Sequence, residues 1–186
     1  MDTRQAAPLV RLIKMVGLWF SCLLLFALAV SGRAEAKTQV ITKKTAPITV
    51  SPYQVALQNP DVPPPVAPNL EGYITNMSVD VVDVKTGKPV PIRRIMLHHI
   101  VFLNFGAPGA RRVDAFYGDG EERAKMILPK GYGYPIHPNE QWGWVWMLMN
   151  HQSVLDQVRI RYKMTVVTGE KLKPVIPLNF DTSHGR

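Results

Sequence analysis

Cysteine is almost missing from this chain of 186 residues: Cys22 is the only one, and it lies inside an apolar run near the N-terminus. A single thiol excludes an internal disulfide framework and any multi-thiolate metal centre of the zinc-finger kind. Signatures of several enzyme classes are also missing. There is no Gly-x-Ser-x-Gly elbow, no phosphate-binding loop and no dinucleotide fingerprint. Heptads, internal repeats and long amphipathic helices are absent too, which removes coiled coils and solenoids from consideration. The chain is basic, with 22 Lys and Arg against 14 Asp and Glu, but these charges are dispersed. Arg93-Arg94 and Arg111-Arg112 are the only arginine pairs. A nucleic-acid reader gathers its cations on one face, so no nucleic-acid partner is expected.

What is present begins with a leader. Arg4, Arg11 and Lys14 precede a 15-residue apolar run, Val16 to Val30, and Ala34-Glu35-Ala36 has the small-x-small form cut by a signal peptidase. As a helix this run would rise about 22 Å, against a hydrocarbon core of roughly 30 Å. Residues 1–36 are therefore expected to form a cleavable signal helix rather than an anchor. Cys22 does not suit lipidation, having Trp19 and Phe20 ahead of it within the run. Cleavage removes four basic and two acidic residues and takes the net charge from +8 to +6. The mature chain is expected to be secreted, or to reside in the periplasm or cell envelope, with no stable membrane span after cleavage.

Residues 37–71 read as an extended, proline-rich N-terminal segment. Ile48 to Val55 has strand composition, with Pro52 restricting it to an edge, and Asn59 to Pro68 carries five prolines. The compact domain is expected over residues 72–186. Tyr73 to Val84, Arg94 to Asn104, Trp142 to His151 and Val158 to Val166 read as strands. In the last, Val158, Ile160, Tyr162, Met164 and Val166 alternate strictly with polar residues and should face inward. Asp119 to Met126, acidic early and basic late, suits one short helical segment, and Lys130 to Pro135 reads as a glycine-tyrosine loop. The fold class expected is all-β, an antiparallel β-sandwich or jelly roll.

Three histidines stand out within the strand-like runs. His98 and His99 are adjacent in Met96-Leu-His-His-Ile-Val-Phe102, and His151 closes the tryptophan run. Imidazoles gain nothing from a strand core unless each nitrogen has a partner, so three of them suggest convergence on a metal ion. Regular alternation argues against this, because His98 would face with Met96 and Ile100 while His99 faced with Leu97 and Val101. A bulge would bring the two rings together; so would coordination through Nδ1 at the strand edge. On the residues alone, metal binding and ordinary packing are about evenly matched. A three-imidazole site without thiols suits copper, zinc, iron or nickel; an oxidising compartment and the nearby Met96, Met147 and Met149 favour copper. Strand methionines more often fill cores, however, and none is taken as a ligand here. His137 lies in a loop between prolines and reads as solvated, with a fourth-ligand or supporting role as the alternative; His184 is near the end of the chain. Trp142, Trp144 and Trp146 alternate onto one face, as an aromatic core layer or subunit interface would. Asn76-Met-Ser78 matches a glycosylation sequon; of the carboxylate pairs, Glu121-Glu122 reads as a helix start and Asp80/Asp83 as the exposed side of a strand.

Gly72-Tyr-Ile-Thr-Asn-Met77, Val90-Pro-Ile92, Met96 to Asn104, Leu128 to Pro135 and Met147-Leu-Met-Asn-His151 occur in this order. Together they resemble the exported proteins related to the stress up-regulated nodulin family, over roughly Gly72 to Pro174. Those proteins look distantly like the copper type II, ascorbate-dependent monooxygenases that hydroxylate peptidylglycine or dopamine, built from two jelly-roll halves with one copper each. The resemblance implies that His98, His99 and His151 correspond to the ligands of the electron-transfer copper in the first half. The oxygen-activating half has a His-x-His motif and a methionine. This chain contains no His-x-His, and it lacks the disulfides of those enzymes. It is expected to bind one copper ion without independent monooxygenase activity. As part of a larger assembly it would act as a copper-dependent oxidoreductase, with a partner domain or chain supplying the second copper site. The alternative is a metal-free interaction or structural module of the cell envelope; a hydrolase or oxygenase with its own complete site has least support.

Overall fold

The computed structural model describes residues 35–58, 60–111 and 113–178. The expected leader and His184 lie outside the described residues. Among the described residues eleven strands run in chain order: β1 (Lys37–Lys44), β2 (Ile48–Val50), β3 (Val55–Leu57), β4 (Gly72–Asp83), β5 (Ile95–Asn104), β6 (Asp114–Gly120), β7 (Lys125–Ile127), β8 (Tyr132–Ile136), β9 (Trp142–Asn150), β10 (Asp156–Thr168) and β11 (Lys173–Pro174). They form two sheets. The larger follows the order β1-β10-β4-β8-β11, with β2 also beside β10 and β7 beside β4; the smaller is β3-β9-β5-β6. Pairing is antiparallel except between β8 and β11. The protein is an all-β sandwich.

Alternation decides which side chains meet between the sheets. On β10, Val158, Ile160, Tyr162, Met164 and Val166 are all buried, as their spacing predicts. On β9 the buried set includes Trp142, Trp144, Trp146 and Leu148, so the tryptophan face is core. The layers interlock through aromatic contacts that cross from sheet to sheet. Phe102 of β5 and Trp144 of β9 meet Tyr162 of β10 edge to face, at centroid distances of 5.3 and 6.0 Å. Phe116 of β6 stacks on Tyr134 of β8 at 4.8 Å. These offset and edge arrangements suit aromatic quadrupoles and add to the burial energy.

Three sequence expectations change. The segment from Asp119 to Met126 holds no helix: β6 runs to Gly120, a turn follows, and β7 pairs with β4. Asp119 causes this. Its Oδ1 accepts hydrogen bonds from the backbone N–H groups of Gly120 (2.8 Å) and Ala124 (2.7 Å), closing a tight turn where a helix would have carried on. Second, Lys130 to Pro135 contributes strand β8 rather than a loop alone. Gly133 allows it, because a Cβ there would lie 2.5 Å from the Cβ of Tyr73 on β4. Third, the sheets begin well upstream of Gly72. Eight residues of β1 pair with β10, and β2 and β3 join opposite sheets around Pro52. The proline falls in the turn between them, where its missing N–H costs no ladder bond.

Candidate metal centre

β5 lies between β9 and β6, and its register breaks at the histidines. Leu97 pairs with Leu148 and His99 with the preceding Met147, so His98 is an extra residue: a β-bulge. The break is visible in burial. Ile95 and Leu97 point inward before it, and Ile100 and Phe102 after it, while His98 is exposed and His99 half-buried. Both imidazoles therefore leave the same, outer face of the small sheet. Strict alternation would have placed them on opposite faces, and the bulge overrides it. Gly120, paired with His99 on β6, leaves room for the distortion, since a Cβ there would stand 2.8 Å from the carbonyl oxygen of His98.

The two Nδ1 atoms lie 3.1 Å apart. As a hydrogen bond, this contact needs a proton on one ring nitrogen and a lone pair on the other. With both lone pairs free, the same spacing is a chelating bite. An ion about 2.0 Å from each nitrogen would see them about 100° apart, close to a tetrahedral angle.

His151 lies on the same outer face but farther along it. It follows β9, and its N–H donates to the carbonyl of Arg94 at 3.1 Å, which sets it opposite Arg94 rather than opposite the pair. It lies four residues beyond Met147 along the chain, a span of about 13 Å. Among the described residues no three of His, Cys, Asp and Glu stand close enough to hold a metal ion. His98 and His99 are thus brought together, and His151 is on their face without touching them. His137 is elsewhere: its Nδ1 meets both carboxylate oxygens of Glu71 at 3.0 Å, in an exposed ion pair.

A second polar cluster was not foreseen. Arg94, one residue before β5, donates from Nε and Nη2 to both oxygens of Asp156 (2.6 Å each) and from Nη2 to Asp83 (2.7 Å). Asp83 also accepts from the backbone N–H of Thr86, and this bond, followed by Arg94, holds its carboxyl well below the usual carboxylate range. Asp156 and then Asp83 in turn push the Arg94 guanidinium above its ordinary value. Under the bulge, burial is the main cause raising the Asp119 carboxyl, against the bonds from Gly120 and Ala124 that lower it. Burial, then the Asp119 charge, raises the Tyr117 phenol that donates to Asp119 at 3.1 Å.

The sequence held one signal for the bulge: the two imidazoles fall between the apolar pairs Ile95/Leu97 and Ile100/Phe102, which are three residues apart and so one residue out of step with alternation. It was masked because Met96, Val101 and Leu103 are apolar as well, so either phase gives a plausible inward face.

No family model and no curated protein matches this chain. Among solved structures, the crystal structure of Yersinia pseudotuberculosis-derived mitogen (YPM) aligns with 76% of this chain and 100% of its own, at 10% identity and a TM-score of 0.29. A likeness that faint carries no argument about function.

Proposed function

We propose that the chain is an exported copper-binding β-sandwich whose single ion is held by His98, His99 and His151, and that it has no monooxygenase activity of its own. The observation supporting this is the bulge that turns two adjacent imidazoles outward with their Nδ1 atoms 3.1 Å apart. A strand has no packing reason to expose two such rings edge to edge, whereas a chelate needs that spacing. His151 joins the set only on release of residues 151–155, which bonds to Tyr53, Arg93 and Arg94 now hold. Imidazoles without thiolates, with thioethers nearby, suit copper among the first-row metals. The histidine pattern resembles the electron-transfer half of type II copper monooxygenases, and a partner domain or chain would supply the oxygen-activating half. Secretion or an envelope location goes with the leader.

The test is metal analysis and copper titration of the mature chain with His99→Ala and His151→Ala. Loss of binding in His99→Ala and weakening in His151→Ala is expected; parental affinity in both variants would end the proposal.

A metal-free docking module is the second hypothesis, favoured by the apolar character of the same sheet face. Val55, Leu57 and Val145 are 46%, 58% and 44% exposed there. It requires a melting temperature indifferent to copper and to chelators, whereas a native-state metal site raises stability by mass action.

A further inference from the structure

The bulge has a third member. In such a distortion two residues of one strand oppose a single residue of the next, and all three side chains lie on about the same face. Here the single residue is Met147 of β9, opposite His98 and His99. Met147 is half-buried between the buried Trp146 and Leu148, so it points outward with the imidazoles. Directly opposed strand residues bring their Cβ atoms within about 5 Å, a gap that a flexible thioether spans. On the other flank of His99 stands Gly120, which presents no side chain. The next outward position along β9 repeats the chemistry: Met149 pairs with Met96 of β5. His151 is the following outward residue. The face therefore carries, in order, two imidazoles with a thioether, two thioethers, and an imidazole.

We infer that this stripe is a cuprous-ion site. Met147 is a thioether ligand added to the histidines proposed above, beside His98 and His99, and the Met96–Met149 pair is a second soft position on the way to His151. Thioether sulfur is a soft donor that favours Cu(I) over Cu(II), while imidazole accepts both. On this face Met147 and Met149 also stand opposite Leu57 and Val55 of β3, and Met96 is buried, so the ligand role rests on the alignment of the thioethers with the imidazoles. The inference rests on the histidine proposal above and adds the oxidation state: the ion is bound as Cu(I), and movement along the stripe would transfer cargo without a change of redox state.

Competition titration with a chromophoric Cu(I) chelator under reductant, run beside a Cu(II) titration in air, separates the two ideas. The variants are Met147→Leu, which conserves volume at a half-buried site and should leave the fold intact by circular dichroism, and the double variant Met96→Leu/Met149→Leu. Met147→Leu is expected to weaken Cu(I) by at least about tenfold and leave Cu(II) affinity unchanged. X-ray absorption of the Cu(I) form is expected to show a sulfur scatterer that Met147→Leu removes. The double variant is expected to leave the primary site intact but slow Cu(I) hand-over to a competing chelator. Histidine-dependent copper binding with no sulfur signal, and no effect of Met147→Leu, would overturn this inference alone. A parent chain that binds neither ion would overturn the histidine proposal with it.

Discussion

Two polar clusters border β5 only a few residues apart, and they differ in how completely their bonding capacity is used. Arg94 is closed. Its guanidinium meets two carboxylates through three bonds of 2.6–2.7 Å, and the Asp83 and Asp156 side chains are 13% and 8% exposed. The His98–His99 pair is open: the side-chain polar contact between them is with each other, on the outer face. Buried polar groups must be satisfied or they destabilise the fold, so a closed cluster serves stability. An exposed cluster of good ligands is under no such demand and keeps its lone pairs for something from outside. Function is best sought in the polar group the fold can do without.

That contrast can be broken in several ways. The largest effect should come from His98→Ala or His99→Ala. Each should weaken copper binding at least about 100-fold, since even indirect partners of metal ligands are worth 10–100-fold. The metal-free melting temperature should move by no more than about 2 °C for the exposed His98, and more for the half-buried His99. Competition titration and scanning calorimetry would read both quantities.

Asp156→Ala should behave in the opposite manner. It removes two charge-assisted hydrogen bonds and strands part of the guanidinium. The side chain of Arg94 is 37% exposed, so solvent recovers some of the loss. A destabilisation of about 1–3 kcal/mol is expected, lowering the melting temperature by roughly 3–9 °C. Copper affinity should be unaffected, and a parallel fall in both quantities would mean that the clusters are coupled.

Gly120→Val sharpens the comparison by attacking the bulge without touching a ligand. The new Cβ would stand 2.8 Å from the His98 carbonyl, and backbone there must shift. Copper affinity should drop about tenfold, in the range of positioning partners, with the histidines intact. An unchanged affinity would show that the ring spacing does not depend on the bulge.

Acid should discriminate last and least. The folded state holds the Asp83 carboxyl below its ordinary value, chiefly through the Thr86 N–H and then Arg94. A lowered folded pKa favours the native state above the unfolded value, about pH 4, and that contribution disappears as pH falls through the folded value. Asp83→Asn should therefore flatten the decline in stability between pH 5 and pH 2, roughly the window below the unfolded carboxylate pKa. Urea denaturation at several pH values measures it, and an unaltered slope would assign acid lability to other groups.

The long strands were legible because one face of each is buried and the other wet. β10 is the plainest case: five apolar residues alternate with four polar ones, and all five are buried. β7 and β8 were not legible. Lys125 to Ile127 is too short for a period, and Tyr132 to Ile136 reads as a turn until Tyr73 is seen against Gly133. Nor was β1, whose Lys37 to Lys44 has little apolar character and becomes a strand by pairing with β10. As for the candidate site, residue type pointed to His98, His99 and His151. The position of Met147 opposite the pair, and the clamp that Arg94 makes with residues 11 and 62 positions away, depend on register and could not be read from spacing.

The sequence by itself determined that the protein is built of strands, that Trp142, Trp144 and Trp146 share a face, and that imidazoles interrupt a β run. All three follow from local alternation of polarity, which needs no knowledge of neighbours. Tertiary structure decided which way the imidazoles point. Direction in a strand is a matter of parity, and parity was reset by one extra residue that the partners β9 and β6 accommodate. Only the packed sheets, with Gly120 on one side and Met147 on the other, could turn two adjacent rings toward the same solvent.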